Sequence, residues 1–186
     1  MASQTKSALA NALKDLLLRK PLEKITVSDI SSACGVNRQT FYYYFHDVYD
    51  LIDWIYNSEG KQLFSGRSDL QTWQDGLLGV FDALRENQVF VSRTFRSRAK
   101  DDLVTILQDG AYRLIINILN SMKEQTGTSD EDISFIADFY KYAFAGTVLD
   151  WIANDMQEDP VQIVEKIECL MGGRMEELLQ RFKKQS

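Results

Sequence analysis

The side chains with the strongest chemical character in this sequence lie between residues 38 and 46. At helical spacing the residues from 38 to 48 separate into two faces. One face is apolar and consists of Phe41, Tyr44, Phe45 and Val48. The other face carries Arg38, Gln39, Tyr42, Tyr43 and His46. Two tyrosines, an arginine and a glutamine are costly as plain solvated surface, but they suit hydrogen bonds to phosphates and base edges. The pattern therefore predicts a face that contacts nucleic acid.

Two short predicted helices would position this face. Thr26 and Asp29 form a capping-box pattern that starts a helix over 27–34, and Asn37 can cap a second helix that starts at Arg38. Gly35 lies in the turn between them, where a tight exit needs a permissive backbone. Two short helices joined by such a turn indicate a DNA-binding helix-turn-helix. An amphipathic helix over 4–20, ended by proline at position 21, precedes them.

The segment from Thr26 through the Tyr-Tyr-Tyr-Phe run to Leu51 resembles the amino-terminal domain of TetR-type transcriptional regulators. The resemblance covers residues 5–52 and implies a DNA-reading head followed by a variable helical regulatory domain. The helix faces and the resemblance together assign phosphate contacts to Thr26, Tyr42, Tyr43 and His46. They also predict that the residues nearest the base edges are Arg38, Gln39 and Thr40. Asn37 is a further predicted DNA-binding residue.

The sequence departs from the resembled pattern at Val48, where the family usually has a lysine that holds a DNA phosphate. Losing one phosphate contact lowers non-specific affinity. This departure predicts weak DNA binding unless an effector or a partner protein strengthens the complex.

Helical patterns continue to the end of the chain, so the sequence predicts an all-α protein of about nine helices. The later patterns fall at 47–64, 70–85, 88–98, 101–125, 130–155 and from 160 onward. We divide the chain into a helix-turn-helix DNA-binding domain, 1–46, and a helical effector and dimerisation domain, 47–186, in which helix 47–64 is the linker.

The last two predicted helices have the features of a homodimer interface. Helix 130–155 is apolar nearly all round, and the last helix has an apolar seam made by Val164, Ile167, Met171, Met175, Leu178 and Phe182. Small residues, among them Gly146 and Gly172, suit close approach of helices. The resembled family dimerises through its last two long helices, which implies a homodimer on a palindromic operator of double-stranded DNA. The alternative is that both helices only complete the core of a monomer.

The later helices also resemble one subgroup of the family, the dihydroxyacetone-kinase operon regulators, through residues 139–146 and Trp151. This resemblance implies that the effector could be a partner protein as well as a small molecule.

Composition and charge limit the other classes. Hydrophobic residues make up 45% of the 186 residues and charged residues 26%, a globular balance. The formal net charge is −6, but residues 1–46 carry +3 and the rest −9. No apolar stretch is long enough for a membrane span, so we expect no membrane partner. The two cysteines, Cys34 and Cys169, fit buried, inert thiols in a reducing cytoplasm.

Catalysis and metal binding have little support. His46 is the only histidine, and the sequence has no phosphate loop, nucleophile–base pairing or metal-ligand spacing. The basic cluster Arg93, Arg96, Arg98 and Lys100 reads as a solvated or salt-bridged face, with an anion site or a DNA-backbone contact as alternatives. We therefore expect no catalytic residue, metal or cofactor.

These observations predict a bacterial DNA-binding transcriptional regulator, with repression favoured. Two rivals stay open. One is a helical protein-interaction co-regulator whose own DNA binding is weak or depends on a partner, and the other is a small helical enzyme.

Overall fold

The computed structural model describes residues 2–65, 73–171 and 174–183. Within these ranges the regular structure is helical and contains no strand, which confirms the all-α prediction. The α-helices there are α1 (Ala2–Leu17), α2 (Val27–Ala33), α3 (Arg38–Tyr44), α4 (Val48–Ser65), α5 (Trp73–Glu86), α6 (Gln88–Phe95), α7 (Lys100–Thr126), α8 (Asp130–Ala153), α9 (Pro160–Met171) and α10 (Arg174–Lys183). A short 3₁₀ turn, Leu22–Lys24, lies between α1 and α2.

Most predicted bounds agree with these helices to within a few residues. The start predicted at residue 70 and the glycines at 172 and 173 lie outside the described residues. The prediction was wrong for the end of α1, which is Leu17 rather than residue 20. The N–H groups of Arg19 and Lys20 both bond to the Leu16 carbonyl, at 3.0 Å each, and this tightened turn closes the helix ahead of Pro21.

The chain divides into two compact units. The first contains residues 1–62 and 87–103, and the second contains residues 63–86 and 104–186. In the first unit α1 packs on α2 and α6, and α2 packs on α3. Its fully buried side chains include Leu9, Leu13, Leu17, Ile30, Phe41, Leu51, Ile52 and Ile55. Burying so much apolar surface supplies the driving force that orders these short helices.

A polar contact inside the first unit joins α4 to α6. The Tyr56 hydroxyl is hydrogen-bonded to the Thr94 hydroxyl, which also donates to the Phe90 carbonyl at 2.8 Å. Burial raises the pKa of Tyr56, so this phenol stays neutral. Segment 87–103 therefore belongs to the same packed body as the predicted DNA-binding helices.

In the second unit α5 packs on α9, and Phe81 meets Trp151 edge to face with ring centroids 4.9 Å apart. The Trp151 indole N–H donates to the Glu158 carbonyl at 2.8 Å, which fixes the turn between α8 and α9. Gly127 ends α7 with a φ of +66°, and Ser129 caps α8 by accepting the Asp132 N–H.

Helix α8 is only partly buried within its unit. Ile133, Ile136, Phe144, Val148 and Trp151 are buried, as its all-round apolar pattern predicts. On another face, however, the exposed fractions are 62% for Phe135, 64% for Phe139 and 58% for Tyr142. Helix α8 therefore carries a largely exposed apolar strip, made by Phe135, Phe139 and Tyr142.

The cysteine prediction was wrong in part. Cys34 is half-buried, and burial raises the pKa of its thiol. Cys169, on α9, is exposed. No helix in the described ranges is long and apolar enough to cross a membrane.

Candidate nucleic-acid interface

The start of α2 is fixed by a reciprocal pair of hydrogen bonds. The Thr26 hydroxyl accepts the Asp29 N–H at 3.2 Å, and the Asp29 carboxylate accepts the Thr26 N–H at 2.8 Å and its hydroxyl at 2.7 Å. This is the predicted capping box, and it orients Thr26 at the exposed end of the helix. The Thr26 hydroxyl proton is directed to Asp29, so Thr26 would have to turn to donate to a phosphate.

Lys20 strengthens this cap from the chain segment before α2. Its ammonium lies 2.9 Å from the Asp29 carboxylate. The hydrogen bond from Lys20, with those from the Thr26 side chain and backbone, lowers the pKa of Asp29 to about 2. The carboxylate is therefore ionised at neutral pH, and Lys20 is occupied by an internal partner.

The turn between α2 and α3 has the predicted geometry. Gly35 has a φ of +72°, a conformation that side-chain-bearing residues rarely adopt. The Asn37 side chain then caps α3, since its Oδ1 accepts the Thr40 N–H at 2.8 Å and the Thr40 hydroxyl at 3.0 Å. Asn37 keeps its amide NH₂ for an outside partner, while half-buried Thr40 directs its hydroxyl proton back to the cap.

The inward face of α3 is aromatic. Phe41 is fully buried and Phe45 is 2% exposed, and their ring centroids are 5.8 Å apart. Tyr44 and Val48 are half-buried. This confirms the predicted apolar face, whose burial fixes the rotation of α3 about its own axis.

The outward face displays the predicted contact residues together. Arg38, Gln39, Tyr42, Tyr43 and His46 are all exposed, and Tyr42 and Tyr43 expose 51% and 80% of their surface. The Arg38 guanidinium lies 6.0 Å from the Tyr42 ring centroid, within reach of a cation–π contact. One short helix thus presents a forked cation, an amide and two phenols to solvent.

His46 lies just past α3 and is oriented by Asp50. The Asp50 carboxylate accepts the His46 N–H at 2.8 Å and lies 3.1 Å from its Nδ1. The imidazole side chain is otherwise fully exposed. A carboxylate on Nδ1 leaves Nε2 directed outward, where it can donate to a phosphate oxygen when the ring is protonated.

The start of α4 has a long-range anchor that sequence reasoning missed. Asp47 caps α4 by accepting the N–H groups of Tyr49 and Asp50 at 2.7 and 2.9 Å. Arg98 reaches Asp47 at 2.9 Å and lies 3.7 Å from the Tyr49 ring centroid. Partial burial opposes the shift, but these donors leave the pKa of Asp47 lowered. The sequence marks Arg98 as part of a basic cluster, and nothing in it signals this partner.

The described residues contain no group of three or more His, Cys, Asp or Glu side chains that could hold a metal ion. The interface instead consists of hydrogen-bond donors, aromatic rings and a few cations. Lys14 pairs with Glu59 at 2.5 Å, and Lys20 pairs with Asp29. The exposed cations of residues 17–46 are therefore Arg19, Lys24 and Arg38.

Two family models match most of the chain. One, described as "Bacterial regulatory proteins, tetR family", covers residues 9–53, and one described as "Transcriptional regulator C-terminal region" covers residues 71–173. The first match contains the whole helix-turn-helix.

Known proteins agree with this assignment. The HTH-type dhaKLM operon transcriptional activator DhaS of Lactococcus lactis subsp. lactis (strain IL1403) is 37% identical over 91 residues, which is 49% of this chain and 49% of DhaS, so the match spans about half of that relative. A solved structure of "Dihydroxyacetone kinase operon activator DhaS" is 25% identical, with a TM-score of 0.74 over 92% of this chain and 96% of that one.

The fold is also that of FadR from Bacillus subtilis in complex with stearoyl-CoA, at 19% identity and a TM-score of 0.61 over 98% of this chain and 99% of that one. The resemblance to the dihydroxyacetone-kinase operon subgroup is thus confirmed as a similarity. The chain belongs to the TetR family of transcriptional regulators.

Proposed function

We propose that this regulator binds a palindromic operator as a homodimer, with the outward face of α3 from each protomer in a major groove. The observation that carries the proposal is the joint exposure of Arg38, Gln39, Tyr42 and Tyr43 on a helix whose opposite face is buried. Guanidinium and amide groups read base edges, and phenols and imidazoles hold phosphates. In this proposal, residues 1–46 form the domain that reads DNA, and residues 47–186 form the domain that regulates DNA binding.

The hydrogen bonds refine the individual roles. Thr26 and Asn37 cap α2 and α3, and Thr40 donates to Asn37, so these three contribute to DNA binding mainly by fixing the two helices. Base-edge contacts then fall chiefly to Arg38 and Gln39, while Tyr42, Tyr43 and His46 hold the phosphates. Discrimination between bases by a bidentate side chain contributes about 1–3 kcal/mol per contact.

The exposed apolar strip of α8 supports the homodimer. Phe135, Phe139 and Tyr142 are well over half exposed, and on α9 Leu170 is 72% exposed. Gly146, on α8, has open space where a side chain would begin, so a second helix could approach closely. Two-fold pairing of these strips would set the two heads on half-sites about 34–36 Å apart, one turn of DNA.

The kind of effector is open to two proposals. A cavity in the second unit, lined by Leu77, Leu107, Ala111, Phe144 and their neighbours, has a volume of about 20 Å³. That is about one water molecule, whereas drug-sized ligands occupy about 300–1,000 Å³. A small molecule would first have to open this apolar core, but an open pocket of about 570 Å³ between α8 and α9, lined by Thr147, Asp150, Trp151 and Lys166 among others, is large enough for one, so a small molecule and a partner protein are both proposed.

The rival proposal, a co-regulator with weak DNA binding of its own, has one observation in its favour. Two of the head's lysines, Lys14 and Lys20, are held by internal carboxylates and contribute little to phosphate binding. We infer no enzymatic activity under either proposal.

A mobility-shift titration with DNA that flanks the protein's own gene separates these proposals. Retardation at nanomolar protein that unrelated DNA of equal length does not compete away supports operator binding. Retardation that requires a second protein supports the co-regulator. The sequence favours repression, whereas both DhaS proteins are named activators, so a reporter fused to the retarded promoter measures the direction of control.

A further inference from the structure

A lysine near the start of α1 lies within a group of three aromatic rings. Lys6 Nζ is 5.4 Å from the Phe45 ring centroid and 5.8 Å from that of Trp54. It is 5.9 Å from the ring centroid of Tyr44. An ammonium ion within about 6 Å of a ring centroid is attracted by the negative face of the ring. We call Lys6 with these three residues the Lys6 cage.

The Lys6 cage joins three helices at one point. Tyr44 is the last residue of α3, Phe45 is the residue that caps it, and Trp54 lies in α4. The cation comes from α1. The cage therefore ties the first helix to the junction where the candidate recognition helix ends and the next helix follows.

The cage also touches the outward face. The Tyr44 ring meets the Tyr43 ring edge to face, with centroids 4.8 Å apart and planes at 86°. Tyr43 is 80% exposed and is one of the proposed phosphate contacts. A ring packed against a fixed neighbour loses less conformational freedom when it binds.

Lys6 differs from Lys14, the other lysine of α1, and from Lys20, which follows that helix. Lys14 and Lys20 each have a carboxylate partner, whereas Lys6 has none among the residues that the structure describes. The Lys6 side chain is half-buried, and its ammonium lies near aromatic rings instead of a carboxylate. A lysine that held a DNA phosphate would instead extend away from these rings.

We propose that Lys6 is a positioning residue for operator binding: its ammonium, held by the three rings, fixes the end of α3 and the orientation of Tyr43 and does not neutralise a phosphate. This proposal rests on the proposed function of the head. It adds a role to a residue outside the helix-turn-helix.

Salt titrations of operator binding test the role of Lys6 directly. Lys6→Met keeps the length of the side chain and removes its charge, Lys6→Arg keeps a cation over the rings, and Lys123→Met removes the same charge from α7 as a control. The DNA is the flanking fragment that the wild type retards. We expect Lys6→Met to weaken binding about 3- to 10-fold at every salt concentration, with an unchanged slope of log affinity against log salt. The operator affinity of Lys6→Arg should stay within about 2-fold of that of wild type. Lys123→Met should have the affinity of wild type.

Two outcomes of these titrations would overturn the proposal. A slope reduced by about 1.8 per dimer in Lys6→Met would identify Lys6 as a phosphate ligand. Equal affinities of Lys6→Met and wild type would remove any role in binding. Because weaker binding by Lys6→Met could also come from a folding defect, circular-dichroism melting curves accompany each titration.

A mutant cycle and an NMR measurement separate the cage from the DNA. Lys6→Met and Trp54→Leu together should cost less affinity than the sum of their separate losses, because both changes remove the contact between Lys6 and Trp54. In free protein labelled with ¹³C-lysine, ring currents should move the Lys6 ε-methylene resonance upfield, and Trp54→Leu should reduce that displacement. An unshifted resonance would overturn the cage. A wild type that retards no fragment would contradict the proposed function and the role of Lys6 in binding, while the NMR shift would still decide whether the cage exists.

Discussion

Phe41 and Tyr42 are adjacent in sequence and lie on opposite faces of α3, the first fully buried and the second 51% exposed. The burial of Phe41 fixes the direction in which Tyr42 points. A contact face on a short helix depends on such buried neighbours, since α3 is too short to be stable alone.

Replacing Arg38 or Tyr42 with alanine should weaken operator binding by about 1–3 kcal/mol each and leave the fold and the dimer intact. Both side chains are exposed, so truncating them removes little buried surface. Fluorescence anisotropy with a labelled operator fragment measures the loss. Wild-type affinity in both variants would remove them from the interface.

Phe41→Ala tests the buried face of the same helix. Truncating a buried aromatic residue should destabilise the protein by about 3–5 kcal/mol. Thermal melting followed by circular dichroism measures this, with Tyr42→Ala as the matched control. Equal melting temperatures for Phe41→Ala and wild type would contradict the assignment of the two faces.

Asp29 gives the cap of α2 an acid dependence. Its pKa is lowered from 3.8 to about 2, so its ionised form stabilises the folded state at neutral pH, and this contribution is lost as the pH falls through that interval. Asp29→Asn should lower the melting temperature at pH 7 and flatten its decline between pH 3.8 and about 2. If wild type and variant decline in parallel, the Lys20–Asp29 pair contributes nothing to folding.

At the scale of elements, the start of α4 is where this chain departs from its family. Val48 is half-buried and is the first residue of the helix that Asp47 caps. Val48→Lys places an ammonium at the position where the resembled pattern has a lysine. It should tighten operator binding and steepen the salt slope by about 1.8 per dimer.

Val48→Gln is the neutral control for that change, because it removes the same apolar side chain without adding charge. Salt titrations and melting curves are needed for both variants. An unchanged slope together with a lower melting temperature would show that Val48 serves the buried face of α3 instead.

The elements themselves could be predicted from the sequence because their signals are local. The capping box at Thr26, the left-handed glycine at position 35 and the Asn37 cap each depend on residues within one helical turn of one another. The same holds for the two faces of α3, which follow from helical spacing alone.

The contacts that could not be predicted join residues far apart in the chain. Arg98 meets Asp47, and Lys6 meets Trp54, across separations on which periodicity and capping rules say nothing. The sequence predicted an interface on α8 but not which of its residues are exposed, since an apolar pattern does not distinguish a surface buried within one chain from one that a second copy covers.

At the scale of the whole molecule, recognition of two half-sites by paired α3 helices requires a dimer. Phe139 is 64% exposed on the apolar strip of α8, so Phe139→Glu should place a charge in the interface and convert the dimer to a monomer. Asn120→Glu adds the same charge to an exposed position of α7 and should leave the dimer intact. Sedimentation velocity at micromolar protein measures both, and a monomeric wild type would reject the interface and the operator geometry with it.

Hydroxyl-radical footprinting on the retarded fragment tests the central claim most directly, because it reports which face of the DNA the protein covers. Paired α3 helices should give two protected patches about 34–36 Å apart, centred on a palindrome, on one face of the duplex. At a protein concentration just sufficient for the wild type to protect both patches, Tyr42→Ala should leave them unprotected, because its binding is weaker by about 1–3 kcal/mol. A single patch, protection without a palindrome, or a footprint that survives both Tyr42→Ala and Arg38→Ala would contradict recognition by paired α3 helices.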